Sequence, residues 1–398
     1  MPDANGTCPP AASAAAAADH PRSAVIDLSA VEPAVTEEDE QAFARINDTI
    51  LSPEQVERIV SPPRTFPRQE SVLAVHWHPE HVPMPLLVRR IDALYPNRKD
   101  ELIIPTQHNV LMEYNGYWGV EVDCYSSGFN RKVQLLLHFK GLDMDRAEVL
   151  VSMLRHTHHY RASQLYEYLE ALTEPSQEHR RQLAAARTNA EEDLVAFVRI
   201  HAAKLRRLLV THEAELPDDA YKNKLVRNFF DTLRSRYDDR LVNKAQVYAK
   251  AVKDVVKEEF SLSYFYRASE IIEETRALGG GVVIPHPEEF WPILLADYDV
   301  DGIEVWNPQS QQYTEFLINV VNRRNRMGWN GERPVLVLMG DDCHMSEKTR
   351  DPAEQDPEKA SREIGLQPAW HDYAIRKSLI MNGVSRRKVI DSYRERLG

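Results

Sequence analysis

Six short apolar runs end in, or carry, a histidine or a carboxylate, and that recurrence constrains the fold more than any other feature. Val72-Leu73-Ala74-Val75 leads into His76-Trp77-His78, and Val335-Leu336-Val337-Leu338-Met339 leads into Gly340-Asp341-Asp342-Cys343-His344. Between them, Leu102-Ile103-Ile104 precedes His108, and Val282-Val283-Ile284-Pro285 precedes His286. Val120-Glu121-Val122 and Ile303-Glu304-Val305 each bury an acid in an apolar strand. Residues two apart on a strand point to the same side, so His76 and His78 can grip one ion together, as can Asp342 and His344. Helical patterns lie between several of the runs, which predicts an α/β fold with a mostly parallel sheet or barrel. In a parallel fold every strand's C-terminal end opens onto one face, so these ligands would converge there. An acid flanked by valines is costly to bury without a counter-charge or a cation, and Glu121 therefore needs a partner. A mixed imidazole and carboxylate set suits Zn, Mn or Fe.

The chain of 398 residues, 43% hydrophobic, is long enough for one large domain with an appendage. A formal charge of −12 argues against coating long nucleic acid, while leaving small anionic substrates open. Three cysteines (Cys8, Cys124, Cys343) are too few for a disulfide framework, which points to a cytoplasmic setting. No apolar run approaches membrane-span length.

Four segments are predicted. Residues 1–23, Ala-rich, read as a disordered leader. Residues 24–69 carry two acidic helix starts, Thr36-Glu37-Glu38-Asp39-Glu40 and Ser52-Pro53-Glu54-Gln55. Residues 70–142 and 279–398 form the catalytic body. Residues 143–278, with Leu194, Phe197, Val198, His201, Leu205 and Leu208 at helical spacing, read as an all-helical insertion. Within it, Arg155-His156-Thr157-His158-His159 reads as a solvated helical face, and Arg234, Arg236 and Arg240 as a charge run able to clamp phosphate.

The order of these strings resembles the PHP superfamily, the polymerase and histidinol phosphatase group of metal-dependent phosphoesterases. His76-x-His78 is similar to its opening motif and Thr106-Gln107-His108-Asn109 to its Thr-Asp-His-Asn string. Gly119-Val120-Glu121 matches the segment with a bridging glutamate, Gly280 to Pro287 the Gly-Gly-Val…Ala-His-Pro string, and Gly340 to His344 the closing Gly-Ser-Asp-x-His. The resemblance implies a distorted (β/α)7 PHP-type barrel with two or three divalent metals at its mouth. His76, His78, Glu121 and Asp342 would hold one metal, Glu121 and His286 a second, and His108 and His344 a third. Three departures stand out. Pro79-Glu80-His81 replaces the family's Ser-Asp or histidine, so Glu80 or His81 is a candidate substitute. Gln134 occupies a usual ligand position, with His138 on the same strand face as a candidate replacement. Gln107 replaces an aspartate.

The implied activity is hydrolysis of a phosphomonoester or nucleotide-type phosphoester by metal-activated hydroxide, on a small phosphorylated substrate or a short nucleic acid end. Glu121, His108 and His344 would take part in catalysis, and the insertion would cap the mouth. The alternatives are a non-catalytic binding or scaffold protein on a degenerate barrel and an amidohydrolase-type C–N hydrolase. The latter commonly uses a strand lysine that the apolar runs lack.

Overall fold

The computed structural model describes residues 26–328 and 333–398; the predicted leader and Cys8 lie outside them. Among the described residues ten strands run in chain order: β1 Ser71–Ala74, β2 Trp77–His78, β3 Asp100–Ile103, β4 Met112–Tyr114, β5 Tyr117–Ser126, β6 Arg131–Lys140, β7 Gly281–Ile284, β8 Gly302–Trp306, β9 Leu336–Met339 and β10 Cys343–His344. They form an α/β fold of three hydrogen-bonded sets: β1 with β3, β2 with β10, and a six-stranded sheet in the order β4-β5-β6-β7-β8-β9.

The predicted runs become strands, but the pairing departs from a mostly parallel sheet. β7, β8 and β9 are parallel, whereas β4, β5, β6 and β7 pair antiparallel. The cause is local. Gly128 and Asn130, the latter with φ of 53°, turn β5 directly back into β6, and a short hairpin can join only antiparallel strands. β6 thus points its C-terminal end away from the face to which β7, β8 and β9 point theirs.

The insertion is helical as predicted, with helices Glu148–Thr173, Glu178–Thr188, Glu192–Thr211, Lys224–Thr232, Asp239–Glu259 and Ala268–Ala277. Its ends, however, belong to the sheet layer. Leu150, Met153 and Leu154 at one end, and Ala268, Ile271 and Ile272 at the other, pack into the core formed by β5 to β9. Tyr125 N–H donates to Tyr266 O at 2.8 Å, so the returning chain docks on β5 before it enters β7. The autonomous part of the insertion is therefore shorter than 143–278.

The N-terminal segment is also divided. Helices Glu37–Asn47 and Pro53–Val60 start at the predicted Thr36 and Ser52, each closed by a reciprocal capping box with Asp39 and Gln55. Phe43 of the first joins the insertion's core, while Ile59 of the second joins a third core around β1 and β3. Asp39, fully buried, accepts from Lys204 Nζ at 2.8 Å and Arg236 at 2.6 Å. Burial opposes its charge, but the two cations and Thr36 hold its pKa below the ordinary range. A buried charge left without its partner costs about 3–5 kcal/mol, so this triad ties the helix to the insertion.

His201 sits in the same core, ringed by Phe197, Phe230 and Tyr237, with neither ring nitrogen hydrogen-bonded. Burial, reinforced by Lys204 and Arg236, pushes its pKa down to about 3. The unfolded chain therefore binds a proton that the folded one refuses, and stability falls as pH drops from 6.5 toward 3. His201→Leu should raise stability by about 1–3 kcal/mol at pH 7 and flatten the loss between pH 7 and 5. Urea unfolding of both proteins at the two pH values measures this; a destabilised variant would mean that the imidazole has a partner in solution.

Candidate metal centre

Strand ends position the candidate ligands. His76 and His78 flank Trp77, whose N–H is taken by the Thr106 hydroxyl at 3.1 Å; Thr106 thereby sets the spacing between the first strand region and the loop bearing His108. His108 pairs with Glu121 as an isolated bridge, with Asn109 N–H donating to Glu121 O at 2.7 Å. Asp342 N–H donates to His76 O at 2.9 Å, and Met345 N–H to His78 O at 3.0 Å, so the last motif lies alongside the first.

The side chains meet around Glu121 and Asp342. His108 Nδ1 lies 2.6 Å, His286 Nε2 3.3 Å, His78 Nε2 3.6 Å and His76 Nε2 3.9 Å from the Glu121 carboxylate. Asp342 Oδ1 lies 3.7 Å from His76 Nε2, 3.5 Å from His78 Nε2 and 3.4 Å from His344 Nε2. The ring of His78 stacks on those of both His108 and His344, at 4.4 and 4.2 Å. The sequence-predicted set His76, His78, His108, Glu121, His286, Asp342 and His344 is thus brought together.

Two groups within this cluster have ligand spacing. One ligand atom each of His76, His78 and Glu121 lie within 4.8 Å of one another, and so do those of His78, His108 and His344. Donors bound at about 2.1 Å to a tetrahedral ion stand about 3.4 Å apart, close to most of the separations observed. His286 Nε2 and Glu121 Oε1 form a hydrogen bond at 3.3 Å, but hydrogen bonding does not account for the other contacts to Glu121. His76 Nε2, both nitrogens of His78, His108 Nδ1, His286 Nδ1 and Glu121 Oε2 are buried without a hydrogen-bond partner. His108 Nδ1 and Glu121 Oε2 approach closely yet lack bonding alignment. Donors that converge in this way could hold a shared cation, and a set of His and carboxylate donors is of the type that suits a transition-type divalent ion.

A surrounding layer fixes these donors. His76 Nδ1 is 2.7 Å from Glu304 Oε2, which leaves Nε2 for ligation. Glu304 Oε1 accepts from Asn307 at 2.9 Å, and Gly340 leaves room for it: a methyl added there would collide with the carboxylate. Asp342 Oδ2 accepts from Gln309 at 2.7 Å and Arg362 at 3.0 Å, so Oδ1 turns to the histidines. Glu80 accepts the Ser346 N–H at 2.8 Å and lies 3.3 Å from His344 Nδ1. Its own N–H donates to Gln107 Oε1 at 3.2 Å, placing Gln107 beside Glu80. Gln309 and Arg362 carried no motif signal, being loop residues that reach the site only through the tertiary fold.

The electrostatics follow from this crowding. For His76 burial resists charging, but Glu304, Asp342 and Glu121 outweigh it and raise the pKa to about 10. His286 and His344, buried beside Glu121 and beside Asp342 and Glu80, rise to about 9. Burial together with the neighbouring imidazoles of His344 and His108 pushes His78 down to about 3. Despite burial, Glu121 and Asp342 stay well below the usual carboxylate range, held by these histidines. Burial raises Asp341 to about 8; it accepts the Gly365 N–H at 2.8 Å and serves the backbone. Backbone strain concentrates here too. Glu80, His286 and Asp342 have φ of 53°, 23° and 43°, a region that residues with a side chain rarely occupy without compensation.

Other candidates lie elsewhere. His138 does not reach the cluster: its nitrogens meet Tyr393 OH at 2.7 Å and Val75 O at 3.0 Å, and burial lowers its pKa to about 3. His138 shares a strand face with Gln134, but β6 runs antiparallel to β7 and pairs His138 with Gly281, at the end of β7 away from His286. His81 lines a cleft beside Glu80 and belongs to neither ligand group. His156 bonds Tyr264 O at 2.8 Å, and His159 bonds Arg155 O at 2.7 Å. Arg234 is taken up by Asp231, Asp239 and Asn243, and Arg236 by Asp39, so neither is free to clamp phosphate. Cys124 and Cys343 are buried free thiols whose pKa values burial raises.

Replacing Glu304 by Gln should weaken metal binding by about 10–100-fold, because the neutral amide no longer fixes and polarises His76. Titration with a metallochromic competitor checks this; an unchanged affinity would place Glu304 outside the centre.

No protein-family model matches this chain, and no curated protein matches it. Among solved structures, a crystal structure described as a "putative metal-dependent phosphoesterase" from Bifidobacterium adolescentis is similar over 82% of this chain and 98% of its own. The identity is 15% and the TM-score 0.40, a level of likeness that does not establish a shared fold.

Proposed function

We propose that this protein is a metal-dependent phosphoesterase of the PHP type, active on phosphomonoesters or on the phosphate end of a short nucleic acid. The observation that carries the reading is the convergence of five histidines on two buried carboxylates, with buried donor atoms left unpaired. The hydrogen-bond pattern supports a distorted seven-staved barrel. β10 pairs with β2 beside β1 and β3, and the His108 to Glu121 bridge joins the loop after β3 to β5.

Divalent ions bound here would lower the pKa of attacking water and offset charge growing on the phosphoryl oxygens. The residues do the rest. Glu121 and Asp342 supply the negative charge that selects cations, and Glu304, Gln309 and Arg362 fix the donors' directions before substrate arrives. His108 and His344, whose side chains are 22% and 32% exposed, are the most open of the cluster. They face incoming phosphate and are placed to give a proton to the leaving oxygen as the P–O bond breaks. Buried free thiols fit a reducing cytoplasm, and no helix among the described residues is long and apolar enough to cross a membrane.

The test is turnover of a phosphate ester panel by protein loaded separately with Mn, Zn and Fe. Metal-dependent release of phosphate, lost on chelation and restored on reloading, is expected. A protein that binds these metals and releases phosphate from no ester would overturn the reading and favour a binding role.

A further inference from the structure

A cleft of about 1060 Å³ adjoins the histidine cluster, far larger than a small phosphomonoester requires. Glu80 and Ser346 form its inner wall, and Glu80 is the residue that also holds His344. Its other walls come from the N-terminal helices, through Arg45 and Arg58, from the insertion, through Lys222 and Lys224, and from Arg350. The cleft thus exists only because the insertion and the N-terminal segment fold together over the catalytic face.

Its charges are unequally satisfied. Asp231 is held by Arg234, Asp48 and Asp351 accept the N–H groups of Ile50 and Ala353, and Glu54 accepts the Ser52 hydroxyl. Arg58 donates to Thr349 O at 2.9 Å. By contrast, the ammonium groups of Lys222 and Lys224 make no ion pair or hydrogen bond among the described residues. Lys224 is exposed, but desolvation within the cleft lowers its pKa, Arg350, Lys222 and Lys359 adding to this and Glu80 opposing it. Lys222 and Lys224 stand two residues apart in the cleft lining, and an anion placed between them would accept from both ammonium groups.

We propose that this cleft is the subsite for the substrate beyond its scissile ester, and that Lys222 and Lys224 bind a second phosphate group there. The inference rests on the phosphoesterase reading of the adjoining cluster and narrows it to substrates with two phosphates, a bisphosphate or a phosphodiester-linked end. A compact monophosphate would use the metal centre and leave the cleft empty.

The experiment uses the full chain with Lys222→Gln and Lys224→Gln combined. In the metal-free protein, calorimetric titration with tripolyphosphate should show binding that weakens at least tenfold in the double variant and is retained when both lysines become arginine. In the metal-loaded protein, the ratio of kcat/KM for hexanediol bisphosphate to that for p-nitrophenyl phosphate should fall at least tenfold, mainly through KM. Equal tripolyphosphate affinity in wild type and variant, or an unchanged ratio, would overturn the proposal. Lysine-dependent binding of tripolyphosphate without turnover of either ester would uphold the anion subsite and reject the phosphoesterase reading instead.

Discussion

Glu121→Gln should abolish phosphate release, by roughly a hundredfold or more, and empty the centre of metal while leaving the fold intact. Glu121 is 1% exposed, and its two oxygens face four histidines. An amide of the same shape fills the same space but removes the negative charge that makes this pocket select cations. It also presents an NH₂ to donors that are themselves ligands or cations. Metal content by mass spectrometry, far-UV circular dichroism and phosphate release separate the outcomes. Full turnover of the variant at saturating metal would remove Glu121 from the mechanism, and loss of fold would make it a structural residue.

Metal loading should be strongly coupled to pH, with affinity rising by about tenfold per pH unit for each proton displaced. In the metal-free protein His76 holds its proton up to about pH 10, and His286 and His344 up to about 9, so protons balance the carboxylates at neutrality. A cation must evict them to reach the ring nitrogens. The same raised values stabilise the metal-free fold below the unfolded histidine pKa near 6.5, and that contribution is lost as pH climbs through 9 to 10. The melting temperature of metal-free protein should therefore fall between pH 7 and 10 while the stabilisation added by metal grows. Calorimetry in buffers of different ionisation enthalpy counts the released protons. Metal binding with no proton release and no pH dependence would show that the histidines are neutral beforehand or do not ligate.

The sequence by itself determined the strands, the insertion's helical nature and the candidate ligands that converge, because each depends on short-range pattern. Val72 to Val75 and Leu336 to Met339 are β-forming runs whatever surrounds them, and Thr36 and Ser52 carry their own capping partners three residues on. His76, His78, Glu121, His286, Asp342 and His344 were legible because strand ends and alternation bring such residues to one face. What only the tertiary structure decided was direction and company. The turn after β5 reversed β6, which sent His138 into the core against Tyr393 and Val75. Arg362 and Gln309 reach Asp342 from loops with no periodicity to mark them. Likewise Asp39 joins Lys204 and Arg236 from a segment that reads as separate, and Lys222 and Lys224 face Glu80 across a cleft between distant parts of the chain. Local pattern fixes which face a side chain occupies on its own element. Its partners depend on how those elements pack, which no single stretch of sequence encodes.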